Sequence, residues 1–101
     1  MLVKELLSQP SHWIQGNYAR NTRHMPCPYD SQDAVCWCLI GAIHACYSVH
    51  ESYNIEQKIM CYLKLSVSYD NPSFNDAIIQ WNDKKSRTFD EVAAVINALN
   101  I

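Results

Sequence analysis

Residues 34–47 read AVCWCLIGAIHACY, and how this stretch is read decides the fold. It carries no charge, and His44 is its only overtly polar side chain. A helix over it is apolar on every side and must therefore be buried on every side. Asp30 or Ser31 can cap that helix at its N-terminus. A membrane span needs about 20 apolar residues, more than the run offers, so the expectation is a central helix that the others surround. Ala34, Gly41, Ala42 and Ala45 allow neighbours to approach closely, while Trp37, Leu39 and Ile40 supply bulk. A glycine inside a helix costs roughly 1 kcal/mol relative to alanine, so Gly41 marks a close contact.

Working outward, Leu2, Val3, Leu6 and Leu7 repeat at helical spacing within residues 2–9, and Pro10 stops that first helix. Between them and the central stretch the periodicity fails. Gly16, Asn17, Asn21, Pro26 and Pro28 are turn-formers, with Trp13, Ile14 and Tyr18 suited to short extended pieces, so residues 11–29 are expected to form an irregular arm or short hairpin. Downstream, a helix is expected from Asn54 to Val67, with Ile55, Ile59, Tyr62 and Leu63 inward and Glu56 and Lys64 outward. Asp70, Asn71 and Pro72 break it. Ser73 with Asp76 resembles a capping box, opening a helix that presents Phe74, Ala77, Ile78 and Trp81. Past the turn NDKKSR, Thr88 and Glu91 form an S/T-x-x-E box before Phe89, Val92, Ile96 and Leu99; Arg87 beside it can pair with Asp90 or Asp83. The fold class is mainly α: a bundle of about five helices around a buried central one, in one domain over residues 1–101.

The 101 residues carry a net charge of −2, with 49% hydrophobic and 18% charged. That balance excludes a disordered polyelectrolyte, and 2 glycines with 4 prolines exclude collagen-like and linker classes. MLVKELLSQP lacks the basic start and long apolar stretch of a signal peptide, and no run is long enough to span a membrane. A cytoplasmic location is expected. The odd set Cys27, Cys36, Cys38, Cys46 and Cys61 then reads as reduced, buried thiols.

Cys36, Cys38, His44 and Cys46 form the densest cluster of reactive types, with Cys27 and His24 upstream. A structural zinc site shows a short-spaced pair twice, and this chain does not, so neither a metal nor a cofactor is expected. Within the central helix Cys36 falls in the first two turns, where the macrodipole lowers a thiol pKa. Cys36, Cys38 and His44 are thus the catalytic candidates for a Cys-dependent hydrolase or transferase, although no complete motif is present. The segment Leu6–Tyr29 has no Asp or Glu and mixes cations with aromatics. Trp13, Gln15, Tyr18, Arg20, Arg23 and His24, with Lys84 and Lys85 of the later turn, are the partner-binding candidates. Such a set suits a protein interface, a grip on nucleotides or single-stranded RNA, or a loop anchored to the core. The negative net charge disfavours broad nucleic-acid binding, which depends on neutralising phosphates.

Three blocks, W-x-Q-G-x-Y-A-R (Trp13–Arg20), A-x-x-W-C-x-x-G-A (Ala34–Ala42) and W-N-D-x-x-x-R-T-x-x-E-V (Trp81–Val92), together resemble a family of small proteins of unknown function from bacteria, notably actinobacteria, and their phages. The resemblance implies a prokaryotic or viral setting and no particular chemistry. Family members often carry an acidic residue and a glycine after A-R, where this chain has Asn21–His24. The leading expectation is a non-enzymatic interaction protein, encoded by a phage or mobile element, that binds a bacterial protein; an anti-CRISPR inhibitor of a host defence complex is one version. Homo-oligomerisation through an exposed apolar patch is a further expectation.

Overall fold

Along the chain, the computed structural model, which describes residues 1–101, forms helix α1 (Val3–Leu6), a 3-10 turn (Pro10–His12), strands β1 (Ala19–Asn21), β2 (Pro26–Cys27) and β3 (Ala34–Trp37), and helices α2 (Leu39–Cys46), α3 (Val49–Leu63), α4 (Phe74–Asp83) and α5 (Phe89–Leu99). Five helices therefore frame the molecule, as expected, but a small antiparallel sheet of order β2-β1-β3 accompanies them.

The sheet corrects the reading of the apolar stretch. Its first four residues are strand, not helix: Val35 is exposed and Cys36 buried, the alternation of a half-covered strand. β3 pairs with β1 through Arg20 opposite Cys36 and Asn21 opposite Ala34, which leaves Val35 as the extra residue of a bulge. Asp30 and Ser31 cap no helix; Ser31 Oγ instead accepts from Asp33 N in a turn. The cap belongs to Cys38, whose Sγ accepts from Gly41 N at 3.3 Å. What survives is the burial. Leu39, Ile40, Gly41, Ala42 and Ile43 are consecutive and all buried, so α2 is the central helix the composition called for, shortened at its start.

The arm is a hairpin: β1 and β2 pair antiparallel, and Asn21 Oδ1 accepts from Arg23 N and Met25 N across the reversal, where His24 has φ 62°. Gly41 does mark a close approach, although the neighbour is this arm and not a helix. A Cβ built on Gly41 falls 2.0 Å from the Tyr18 carbonyl oxygen, which accepts from Cys38 N at 3.2 Å.

α3 begins earlier than expected because Ser48 and Glu51 form a full capping box, and it ends at Lys64 in the left-handed region, φ 56°. The shifted frame turns the helix. Ser52, Ile55, Glu56, Ile59 and Met60 make the buried stripe, so Glu56 faces inward and Tyr62 outward, the reverse of the expectation for both. The caps of α4 and α5 are as read: Ser73 Oγ accepts from Asp76 N, and Thr88 with Glu91 satisfies both halves of its box. Arg87 pairs with Glu91 at 2.8 Å, not with Asp90 or Asp83, and its guanidinium lies 4.0 Å over the Trp81 ring. Trp37 and Trp81 are only partly buried and pack on the core's flank. The core itself joins α2 to Val3, Ile59, Ile78, Val92 and Ile96. No helix is long and apolar enough to cross a membrane.

Candidate functional site

Of the arm residues, Trp13 and Gln15 are consumed by the fold. Trp13 Nε1 donates to Asn82 Oδ1 at 2.7 Å, and Gln15 Nε2 donates to the carbonyls of Asn82 and Lys84. Asn82, fully buried, completes the junction: its Oδ1 also accepts from Leu39 N, and its Nδ2 donates to Ile14 O and Asp83 Oδ1. One side chain thus ties the arm, the start of α2 and the end of α4. Arg20 also points home, with Nε on Asn17 Oδ1, Nη1 2.9 Å from His24 Nε2 and Nη2 reaching Gln15 O. Tyr18 is 45% exposed, and Arg23, Lys84 and Lys85 are exposed. The structure brings Gln15 beside Lys84 and Arg20 beside His24, while Tyr18 lies 6.5 Å from Tyr29 and lines a shallow depression with Gly16, Asn17 and Asp83.

Only Cys36 and Cys38 are buried; Cys27 and Cys46 are half-buried and Cys61 is exposed, against the expectation of five buried thiols. Cys36 lies on β3, outside any helix, where its Sγ–H donates to Arg20 O; burial raises its pKa, partly offset by the Arg20 backbone and charge. Burial pushes Cys38 up to about 11 against the pull of the Gly41 N–H. All five cysteines are free. Iodoacetamide at pH 7 is expected to label the exposed Cys61 first and Cys38 only as fast as the protein opens, read by peptide mass spectrometry. Rapid labelling of Cys36 or Cys38 at pH 6 would contradict this placement.

His44 turns away from the cysteines to a cleft of about 400 Å³ between the arm, α2, α3 and the start of α4. Its Nε2 lies 3.6 Å from Glu56 Oε2, and its ring meets Tyr29 edge-on at 5.5 Å. Burial raises the Glu56 carboxyl, with the His44 interaction opposing. Asn75 lines the same cleft, and its buried Oδ1 has no hydrogen-bond partner. Tyr47 donates its hydroxyl to Ile101 O at 2.6 Å, holding that wall in place.

Aromatic side chains run along this face. Tyr18 stands 6.5 Å from Tyr29, Tyr29 reaches His44, and Tyr53 at the opposite rim stacks on Phe74 at 5.7 Å. Tyr53, Glu56 and Asn75 also line an adjoining depression bordered by the exposed Val67. Tyr29, Tyr53, Glu56 and Asn75 were not among the sequence candidates; the box at Ser48 and Glu51, which sets the frame of α3 and turns Glu56 inward, was the available signal. No group of three or more His, Cys, Asp or Glu is arranged to hold a metal ion.

A family model described as a family of unknown function, DUF6197, matches residues 2–99. No match was found among curated proteins or among solved structures.

Proposed function

Because the chain belongs to that family of unknown function, its activity is read from its own surface, and we propose that it is a non-enzymatic domain that binds a protein partner through the aromatic face of the cleft. The observation that carries this reading is the set of Tyr29, His44, Tyr53 and Phe74 along two adjoining depressions, with Tyr18 6.5 Å from Tyr29 beyond their edge. Tyrosines give large contact area at small entropic cost and are enriched at binding hot spots. Val49 and Val67 extend the apolar rim at 91% and 48% exposure. Arg23 of the hairpin is an exposed cation, whereas Trp13, Gln15 and Arg20 act as scaffold. In the bacterial or phage setting that the sequence resemblance implies, the partner is a cytoplasmic bacterial protein, and inhibition of a defence complex is one result such binding would have.

The test is affinity capture from nuclease-treated bacterial lysate with the wild type, the double variant Tyr18→Ala/Tyr53→Ala and the control Tyr62→Ala. The double variant is expected to retain at least about tenfold less partner, with the control unchanged. Equal capture by all three, or no specific capture by the wild type, would overturn the reading. Capture by the wild type from a parallel untreated lysate that is lost after nuclease treatment would overturn the protein-partner reading in favour of nucleic-acid binding.

A further inference from the structure

Resting on the protein-binding reading, we propose that the cleft between Tyr29 and Tyr53 takes the guanidinium of an arginine side chain presented by the partner, with Glu56 as its counter-charge. The cleft is short of donors. Glu56 is 8% exposed, and its nearest partner, His44 Nε2, stands at 3.6 Å, beyond hydrogen-bond length. A carboxylate accepts only, through about four lone-pair sites, and the His44 contact occupies one side of it. Asn75 Oδ1 is a second acceptor in the same wall without a donor. A buried acceptor left unpaired is costly, and a ligand that brings several N–H groups can serve Asn75 Oδ1 and the Glu56 carboxylate together. Burial also raises the Glu56 pKa, with His44 opposing.

The remaining chemistry also selects a cation. Tyr29, Tyr47 and Tyr53 line the cleft, and aromatic faces attract cations through the ring quadrupole. Among the lining residues and their chain neighbours there is no lysine or arginine, only His44 and His50, against Glu56, Asp30, Glu51 and Asp76. A volume of about 400 Å³ lies within the range of ligand pockets, roughly 300–1,000 Å³. Guanidinium is preferred over ammonium because it is planar, stacks on tyrosine and meets a carboxylate with two parallel N–H groups.

The experiment titrates the intact protein with N-acetyl-arginine methylamide, its lysine counterpart and the uncharged citrulline isostere, followed by NMR shifts of the tyrosine rings and the Asn75 side-chain amide. The arginine probe is expected to shift Tyr29, Tyr53 and Asn75 with a dissociation constant on the order of millimolar, the lysine probe more weakly, and the citrulline probe about tenfold more weakly. Glu56→Gln should weaken arginine binding about tenfold. Asn75→Asp, which adds a charge to the wall, should strengthen it several-fold. Equal shifts with citrulline, shifts that avoid the cleft, or binding unchanged in both variants would overturn the proposal. Probe binding without protein capture sinks only the partner reading; capture without probe binding sinks only the arginine pocket.

Discussion

Gly41→Ala is expected to lower the thermal midpoint by about 15 °C, corresponding to roughly 3 kcal/mol for a domain of this length. Two effects oppose each other. Alanine is the better helix former by about 1 kcal/mol, which alone would stabilise α2. Against it, the added methyl sits 2.0 Å from the Tyr18 oxygen and 2.9 Å from its carbonyl carbon. Those are backbone atoms, so no side chain can swing aside. Retreat of the Tyr18 carbonyl also loosens its bond from Cys38 N, where β3 hands over to α2. The overlap wins. Gly16→Ala supplies the comparison: φ there is +89°, but the nearest atom to a new Cβ is the flexible Arg20 Nη2 at 3.9 Å. That variant should lose only about 1 kcal/mol, from backbone strain. Calorimetry of both variants checks the order, and an unchanged midpoint for Gly41→Ala would remove the contact from the account.

Asn82→Ala should be of similar size, about 3 kcal/mol or more, because it orphans several buried groups at once. The Trp13 indole N–H and the Leu39 amide lose their acceptor, and the Ile14 carbonyl loses its donor. Each unsatisfied buried group costs roughly 1–3 kcal/mol. Asn82→Asp should also destabilise, since an acceptor then faces Ile14 O and the Asp83 carboxylate. Trp13→Phe removes one bond and keeps the ring near Phe89, 6.5 Å away, so it should cost only about 1 kcal/mol. Urea titration of the singles and the Trp13→Phe/Asn82→Ala double variant gives the coupling. Strict additivity would mean that the two side chains do not share the bond.

These two residues also show how far local sequence carries. Thr88 with Glu91 and Ser73 with Asp76 are bonds between near neighbours, so α4 and α5 could be placed from composition alone. Gly41 could be read as a close contact, because a helix interior tolerates glycine poorly, but the identity of the neighbour depends on Tyr18, far away in the chain. Residues 34–37 have the apolar character of the helix that follows them. Only pairing with β1 makes them a strand, and that pairing has no local signature. Asn82 looks like any polar residue at a helix end, although three of its four bonds reach two distant segments, the arm and the start of α2. The cleft was hidden for the same reason, as Tyr29, His44, Glu56 and Asn75 come from four separate segments. In the arm, aromatic and cationic side chains were visible, but their division into scaffold and surface follows from hydrogen bonds that composition does not encode.

The most direct test of the binding face is hydroxyl-radical footprinting of the protein in bacterial extract and in buffer, with oxidation measured at each tyrosine. Tyr62 is exposed, lines neither depression and serves as the internal reference for scavenging by the extract. Oxidation of Tyr18, Tyr29 and Tyr53 is expected to fall in extract relative to Tyr62. If all four fall in proportion, or if Tyr62 is the protected one, the aromatic face is not where this protein meets its partner.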